Sequence, residues 1–540
     1  PQWHNQRSTK HYIEDYKNSP DGGRFSNSYG YLNGELTGGA YGYNYYHKPQ
    51  VSLNHYWTIN EQSSLTTSLY ASMATGGGRR VRGAKSNWLA IDNKTGRPYE
   101  DTKLTAGGLL DYDAVLAENA ASQNGSQAIF TNAVNDHDWY GVLSSYKNRF
   151  TDKFTFTGGF DGRYYKGYHK EVIDNLLGGA YFIPTNPLDY QSSNTILKEG
   201  DVVQYFNIGE IVWAGLFAQA EYNTDKWSSF ISASITNESY RYHDKGGNVD
   251  GKKISDFYHF QPWSVKAGYN YKFTQNHNVF VNGGYFTRAP FFNSVFPNNN
   301  VTANAEAPYE KIMTFELGYG FNNEYFNVAL NGYYTKWMDK STRRRVGQDN
   351  ANITGLDAIH MGVELEATYK PVNTFELKGM FSLGDWRWAD DVHFTLYDEV
   401  TDKPIGTYDA YVKDVHVGNS AQLTAALSAS WEVFKGLKLN ADYNFAGKNY
   451  ADFDPSNRTN KSDAGIDAWK MPNFYTIDLG LSYRFDLGKG LKAVIYSNVY
   501  NLTNTCYVAD ATDGVTHDWD SALVFYGFGR TWSTGFKVMF

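Results

Sequence analysis

The sequence predicts an all-β protein, a transmembrane antiparallel β-barrel, and three observations predict it. The first is the last stretch, Gly527 to Phe540, where Phe528, Trp532, Phe536, Val538 and Phe540 share one parity while Gly529, Thr531, Ser533, Gly535 and Lys537 share the other. Successive strand side chains point to opposite faces, so this segment has one oily and one wet face. The second is composition: 540 residues, 17% aromatic, with 51 Gly, 14 Trp and 44 Tyr, yet a mean hydropathy of −0.55. A polar average is expected of a barrel, because only alternate residues of each spanning strand meet lipid. The third is a regular exchange of short turns with long polar loops.

Other classes are excluded along the way. No run of about 18 apolar residues exists, so the chain carries no transmembrane helix. A net charge of −8 and a pI near 5.9 supply no basic surface, and nucleic acid is not expected as a partner. Cys506 stands alone and has no internal disulfide partner; its role is open. The opening residues Pro1, Gln2, Trp3, His4 and Asn5 hold neither an initiator Met nor a signal-peptide pattern, so the sequence is expected to begin downstream of the exported precursor's start.

The strands follow from the turns. Short turns are expected at Asn60 to Glu61, Thr151 to Lys153, Asn223 to Asp225, Thr274 to Asn276, Asn322 to Glu324, Pro371 to Asn373, Lys435 to Gly436 and Leu487 to Gly490. Between them run polar connections over 76–135, 166–209, 243–258, 289–308, 339–358, 389–420, 451–472 and 504–521. Short periplasmic turns and long extracellular loops are the asymmetry of outer-membrane barrels. The tally is about seventeen strands, eight hairpins and a terminal strand, where bacterial barrels have an even number. The chain is therefore expected to open on the extracellular side, with 1–47 a loop segment rich in Tyr29, Tyr31, Tyr41, Tyr43, Tyr45 and Tyr46 and 48–540 the C-terminal strands. In a barrel of about 22 strands, the first strands would lie upstream.

Alternation holds inside the strands. Leu423, Leu427, Trp431 and Val433 oppose Gln422, Thr424, Ser428 and Glu432; Leu437, Leu439, Tyr443 and Phe445 oppose Lys438, Asn440 and Asp442; Tyr475, Ile477, Leu479, Leu481 and Tyr483 oppose Asp478, Ser482 and Arg484. A Lys or Arg on the lipid face at mid-membrane costs roughly 2 to 4 kcal/mol, which is why the charges keep to one parity. Trp431, Tyr443 and Trp532, near strand ends, suit interfacial aromatic girdles.

Several segments also carry a family resemblance. Arg288-Ala289-Pro290, then Pro308-Tyr309-Glu310-Lys311, then Glu316-Leu317-Gly318, with Gly362-Val363-Glu364-Leu365-Glu366, Tyr500-Asn501-Leu502-Thr503-Asn504, Gly529-Arg530-Thr531 and the terminal Phe540, resemble in order the signature of TonB-dependent outer-membrane receptors of a Bacteroidetes-like kind. The resemblance covers roughly residue 45 onward. It implies ligand-gated, TonB-energised uptake of a nutrient across the bacterial outer membrane, with an N-terminal plug domain and TonB-contacting box that this sequence does not contain. It also implies outer-membrane lipid and lipopolysaccharide as surroundings, and leaves room for a surface lipoprotein lid. Iron chelate, haem, cobalamin, glycan and peptide all remain open as ligands. A passive porin or a structural barrel within a larger assembly is the alternative. Arg288, Pro290, Glu310 and Glu364 read as barrel architecture.

Ligand contacts are expected in the long loops and upper lumen, since loops on a rigid scaffold carry binding. Candidates are the basic clusters Arg79, Arg80 and Arg82 (with Lys85) and Arg343, Arg344 and Arg345, whose guanidinium geometry suits carboxylate and phosphate, and the aromatic pair Trp386 and Trp388, which can stack on planar ligands or sugars. Solvated charge and girdle packing are the plainer readings of the same residues. No metal site or cofactor is expected: Asp136, His137 and Asp138 are strand neighbours that point apart, and His169 with Glu171 offers fewer ligands than a zinc site needs. No nucleophile, P-loop or HExxH motif marks an enzyme.

Overall fold

The computed structural model describes all residues except 1, 6–8, 39–42, 189–190, 247–252, 298–300, 305, 347–348, 398–403 and 489. Seventeen long strands form one antiparallel wall. They are β1 (Gln50–Thr58), β2 (Ser63–Arg82), β3 (Ile129–Arg149), β4 (Phe154–Asn175), β5 (Val202–Asn223), β6 (Trp227–Asp244), β7 (Trp263–Lys272), β8 (His277–Arg288), β9 (Glu310–Asn322), β10 (Phe326–Val346), β11 (Asp349–Val372), β12 (Phe375–Trp388), β13 (Leu423–Phe434), β14 (Leu437–Gly447), β15 (Phe474–Gly488), β16 (Leu491–Tyr500) and β17 (Thr531–Met539). Each pairs with the next in chain order. Short segments join the same sheet at Gln2–Asn5, Tyr43–His47, Tyr258–Phe260, Val392–Tyr397 and Pro404–Ala410.

Within 1–47, read from sequence as a loop segment, the chain therefore contributes two segments to this wall, and three more, His11–Tyr12, Tyr29–Leu32 and Glu35–Gly38, to two small separate sheets. Tyr43–His47 pairs with the upper end of β2 (Asn44↔Gly78) and is separated from β1 by Lys48 and Pro49, where the missing proline N–H interrupts the ladder. Gln2–Asn5 pairs in turn with Tyr43–His47. Below that point every residue of β1 is exposed, and among the described residues no pairing joins β1 to β17.

The wall must curl. Seventeen flat strands would be roughly 80 Å wide at the usual inter-strand spacing, yet the loops at its two margins touch one short segment, residues 9–33. Arg97, in the loop after β2, pairs with Asp15 at 3.0 Å, and Gly96 accepts from His11 Nδ1 at 2.8 Å and Asn27 Nδ2 at 2.9 Å. On the other side Lys10 reaches Asp510 at 2.8 Å and Thr512 at 2.9 Å, and Tyr16 donates to Val524 O. Only a rolled sheet brings these margins to one peptide.

The wall is one layer thick over its lower half. Leu427, Leu479 and Phe536 are 49%, 41% and 60% exposed, as an apolar face meeting hydrocarbon requires, and Lys438, Arg484 and Lys537 occupy the opposite face. On that polar face, aromatic rings lie over glycines of the neighbouring strand. A Cβ at Gly318 would stand 2.1 Å from Phe280, and one at Gly535 would stand 2.2 Å from Tyr496. Glycine is needed there because the ring occupies the side-chain space.

Every expected turn is found, but the strands climb higher than expected. The connection foreseen over 76–135 narrows to 83–128 and 166–209 to 176–201, and the described residues of 339–358 belong to strands. The terminal strand starts at Thr531 rather than Gly527, because Gly529 turns the chain at φ 78°.

The loops fold into a packed crown. One cluster gathers Ile353, Leu356, Trp388, Val412, Tyr450 and Phe453; another joins Ile13 and Tyr16 to Met471, Val508 and Val524. Helix Tyr112–Ala121 begins on the Asp111 side chain, which accepts from Ala114 N, and buries Tyr112 and Val115. Burial holds the Tyr112 phenol well above its usual range. Within the crown the wholly buried Arg458 donates to the equally buried Asp513 at 2.7 Å, and His517 Nδ1 lies 2.7 Å from the same carboxylate.

Candidate ligand-binding wall

The polar face of the upper wall gathers the side chains able to hold a ligand. Alternation decides which: on β3 and β4 the odd positions share the face of Ser68 and Ser145, so His137, Trp139, Arg163, Tyr165 and His169 point inward together. The His137 ring lies 5.5 Å from Tyr165 and 6.5 Å from Trp139, which meets Tyr70 edge-on at 5.9 Å. On β5, Trp213 lies under Arg163, whose guanidinium is 5.0 Å from the indole centroid and forks onto Asp161 at 3.0 and 2.5 Å. The Nε2 of His137 and the Nε1 of Trp213 have no hydrogen-bond partner among the described residues. His169 Nδ1 lies 2.7 Å from Asn135.

A second inward group sits on β10 to β12. Trp386 donates from Nε1 to the Tyr333 hydroxyl at 2.9 Å and lies 5.7 Å from the His360 ring. The buried Gln422 amide holds the Trp386 backbone from both sides, accepting from its N–H at 2.8 Å and donating to its carbonyl at 3.0 Å. The ring is thus presented on a braced backbone, a pre-organised surface for a planar or carbohydrate ligand.

The candidates read from sequence separate. Arg79 faces outward, pairs with Asp174 at 3.1 Å and lies over Tyr43 and Phe130. Arg82 forks onto the wholly buried Glu171 at 2.7 and 3.0 Å, and Thr131 donates to that carboxylate too, so its donors are engaged by the fold. Arg80, on the inward parity with Arg82, has no ion pair among the described residues. Arg343, Arg344 and Arg345 end β10, and their side chains lie outside the described residues. Trp386 faces the lumen; Trp388, two residues on, is 3% exposed and packs edge-on against Phe453. The His169 and Glu171 pair does not converge, since Glu171 turns to Arg82. Arg163, Trp213, Tyr333 and His360 were not singled out in sequence. Their signal is an aromatic or basic residue standing on the polar parity of a strand.

Residues 2–502 match the family described as TonB dependent receptor-like, beta-barrel. No curated protein sequence matches the chain. Among solved structures, the fold is similar to the ferric-catecholate import receptor Fiu of Escherichia coli K12, with 11% identity and a TM-score of 0.56 over 92% of this chain and 65% of that one. It is similar to the copper transporter OprC, with 13% identity and a TM-score of 0.58 over 92% and 66%, and to the siderophore receptor PiuA of Acinetobacter baumannii, with 13% identity and a TM-score of 0.58 over 92% and 65%. At such identities the likeness is one of fold, and the chain spans just under two thirds of those receptors' length. With its hydrocarbon-facing belt, polar inner face and tall loops, the chain belongs to the TonB-dependent receptor β-barrel family of the bacterial outer membrane.

Proposed function

We propose that this chain is the barrel wall of a receptor that takes up a specific nutrient across the outer membrane, energised through TonB. The wall would hold a plug domain lying outside residues 1–540, with 48–540 as C-terminal barrel strands and 1–47 largely extracellular. Family membership supports uptake over passive diffusion. The observation that carries a ligand site is the braced Trp386 and Tyr333 pair facing the lumen, with Arg163 and Trp213 on another part of the same face. Aromatic faces suit a planar ligand such as a metal chelate; the Arg163 guanidinium, forked onto Asp161, would offer its plane rather than free donors. Among iron chelate, cobalamin, glycan and peptide we favour a metal chelate, a reading supported by similar structures described as a ferric-catecholate import receptor, a siderophore receptor and a copper transporter. Of the basic candidates whose side chains are described, Arg80 would add a contact, being on the inward parity and without an ion pair among the described residues. Lipopolysaccharide would surround the wall, and a surface lipoprotein lid over the crown belongs to the same reading.

The test is uptake of radiolabelled ferric chelates, cobalamin and oligosaccharides by cells carrying the full-length receptor. Trp386→Ala and Arg163→Gln should raise the half-saturating concentration by about ten- to a hundredfold while surface expression stays constant. A permanently open conductance of the full-length protein in planar bilayers would favour the porin reading instead.

A further inference from the structure

On the inward face of β4, Gly167 leaves a gap in a row of large side chains. Tyr165 and His169 stand on either side of it along the strand, and His137 on β3 is its direct cross-strand partner. A Cβ at Gly167 would lie 2.9 Å from the Tyr165 hydroxyl and 3.0 Å from His169 Nε2, so both polar atoms are aimed at the space that the missing side chain vacates. The His137 ring closes a third side, 5.5 Å from the Tyr165 ring. Across β5 the partner of Gly167 is Gly209, whose own side-chain space is bounded by the Phe292 ring. The result is a recess with a backbone floor and a rim of two imidazoles and a phenol.

Both imidazoles are available as ligands. The Asn135 amide donates from Nδ2 to the Ala133 carbonyl at 3.2 Å, which leaves its oxygen facing His169 Nδ1 at 2.7 Å. Nδ1 therefore carries the proton and Nε2 keeps its lone pair, the arrangement that orients a metal-ligating histidine. His137 Nε2 is buried with no hydrogen-bond partner among the described residues, a cost that a bound ion removes. Of the flanking charges, Lys48 stands 5.6 Å from the Trp139 ring, and Asp136 and Asp138, on the other face of β3, offset it. Imidazole suits copper, nickel and zinc. Two protein ligands fall short of the three or four that hold a bare zinc ion, so a metal seated here brings the rest of its donors with it. Rings on neighbouring strands of one wall approach a metal from one side and take adjacent coordination positions. A porphyrin, whose open positions lie on opposite faces, does not fit.

We infer that His137 and His169 bind the metal of an incoming chelate directly, at two adjacent coordination positions that the chelator leaves open, while the Tyr165 hydroxyl donates to the chelator's oxygens. The inference rests on the reading of the cargo as a metal chelate and narrows it to a coordinatively unsaturated chelate of copper, nickel or zinc, as against a saturated iron chelate.

The probe is copper(II) nitrilotriacetate, whose tetradentate chelator leaves adjacent positions open, set against copper(II) ethylenediaminetetraacetate, whose hexadentate chelator fills the sphere. Equilibrium dialysis of the full-length receptor in neutral detergent should show the first complex retained and the second not. Pulsed electron paramagnetic resonance should show two imidazole nitrogens on the copper, and one in either His137→Gln or His169→Gln, with affinity lower by more than about a hundredfold; Asn135→Ala, which frees the His169 ring, should cost about ten- to a hundredfold. His393→Gln, at an exposed loop histidine, should change nothing. Gly167→Ala, whose methyl meets the flexible tips of Tyr165 and His169, should fold and lose the complex. Heat-modifiable gel mobility reports folding of each variant. Equal retention of the two complexes, unchanged affinity in the glutamine variants, or full binding by Gly167→Ala would each overturn the assignment. If a glutamine variant fails to fold, Gly167→Ala and the pair of chelates decide. Binding is read without transport, so its failure leaves the uptake reading standing, whereas intact binding in a receptor whose cells take up no metal chelate strikes that reading and keeps the site.

Discussion

Replacing Asp513 by Ala should loosen the crown without touching the wall. Asp513 and Arg458 are both 0% exposed in their side chains and 2.7 Å apart. The carboxylate also accepts the Trp469 N–H at 3.0 Å and lies 2.7 Å from His517 Nδ1. Removing it leaves a buried guanidinium with, among the described residues, the Ile466 carbonyl at 2.8 Å as its acceptor. Breaking a buried pair by deleting one partner costs about 3 to 5 kcal/mol, so the local opening equilibrium shifts by about two to four powers of ten. Hydrogen exchange read by mass spectrometry should show that loss of protection over 449–471 and 508–526, while peptides from β15 and β16 keep theirs. Arg458→Met with Asp513→Leu should recover most of the loss, because no charge is then stranded. Protection within tenfold of wild type in Asp513→Ala, or a double variant worse than the single one, would refute the assignment of this pair as the crown's anchor.

Leu479→Arg should cost roughly 2 to 4 kcal/mol in folding into bilayers, whereas Ser482→Arg, on the polar face of the same strand, should cost little; equilibrium refolding into vesicles separates them. Gly318→Ala, forced against the Phe280 ring, should cost about 1 to 3 kcal/mol in the same assay, and Phe280→Ala in that background should relieve part of it. Trp388→Ala should lower crown stability by about 3 to 5 kcal/mol, while Trp386→Ala leaves stability nearly intact and lowers ligand affinity. Proteolytic susceptibility and uptake, measured on both variants, check that division.

The spanning part of the wall was legible because lipid imposes a period of two. Leu427, Leu479 and Phe536 stood out against Lys438, Arg484 and Lys537, and each hairpin turn followed. Legibility stops above the membrane, where loops cover both faces. Val81 packs into one cluster with Trp88 and Tyr112, and Ile129 and Ile173 on the opposite parity pack into another with Phe182 and Leu197, so alternation vanishes although the strands continue. The site was partly legible for a related reason. Arg79 and Arg82 look like a basic patch in sequence, and their partners Asp174 and Glu171 arrive from a strand some ninety residues later. Trp386 and Trp388 share a parity, and only the fold of the crown distinguishes the presented ring from the packed one.

Residues 9–33 act on the molecule's girth. By gripping Gly96 and Arg97 at one margin and Asp510 and Val524 at the other, this peptide works like the bar of a buckle. The spacing between β1 and β17 is therefore gauged at the top, whatever occupies the span below. An aperture so clasped is already cut to width at its mouth.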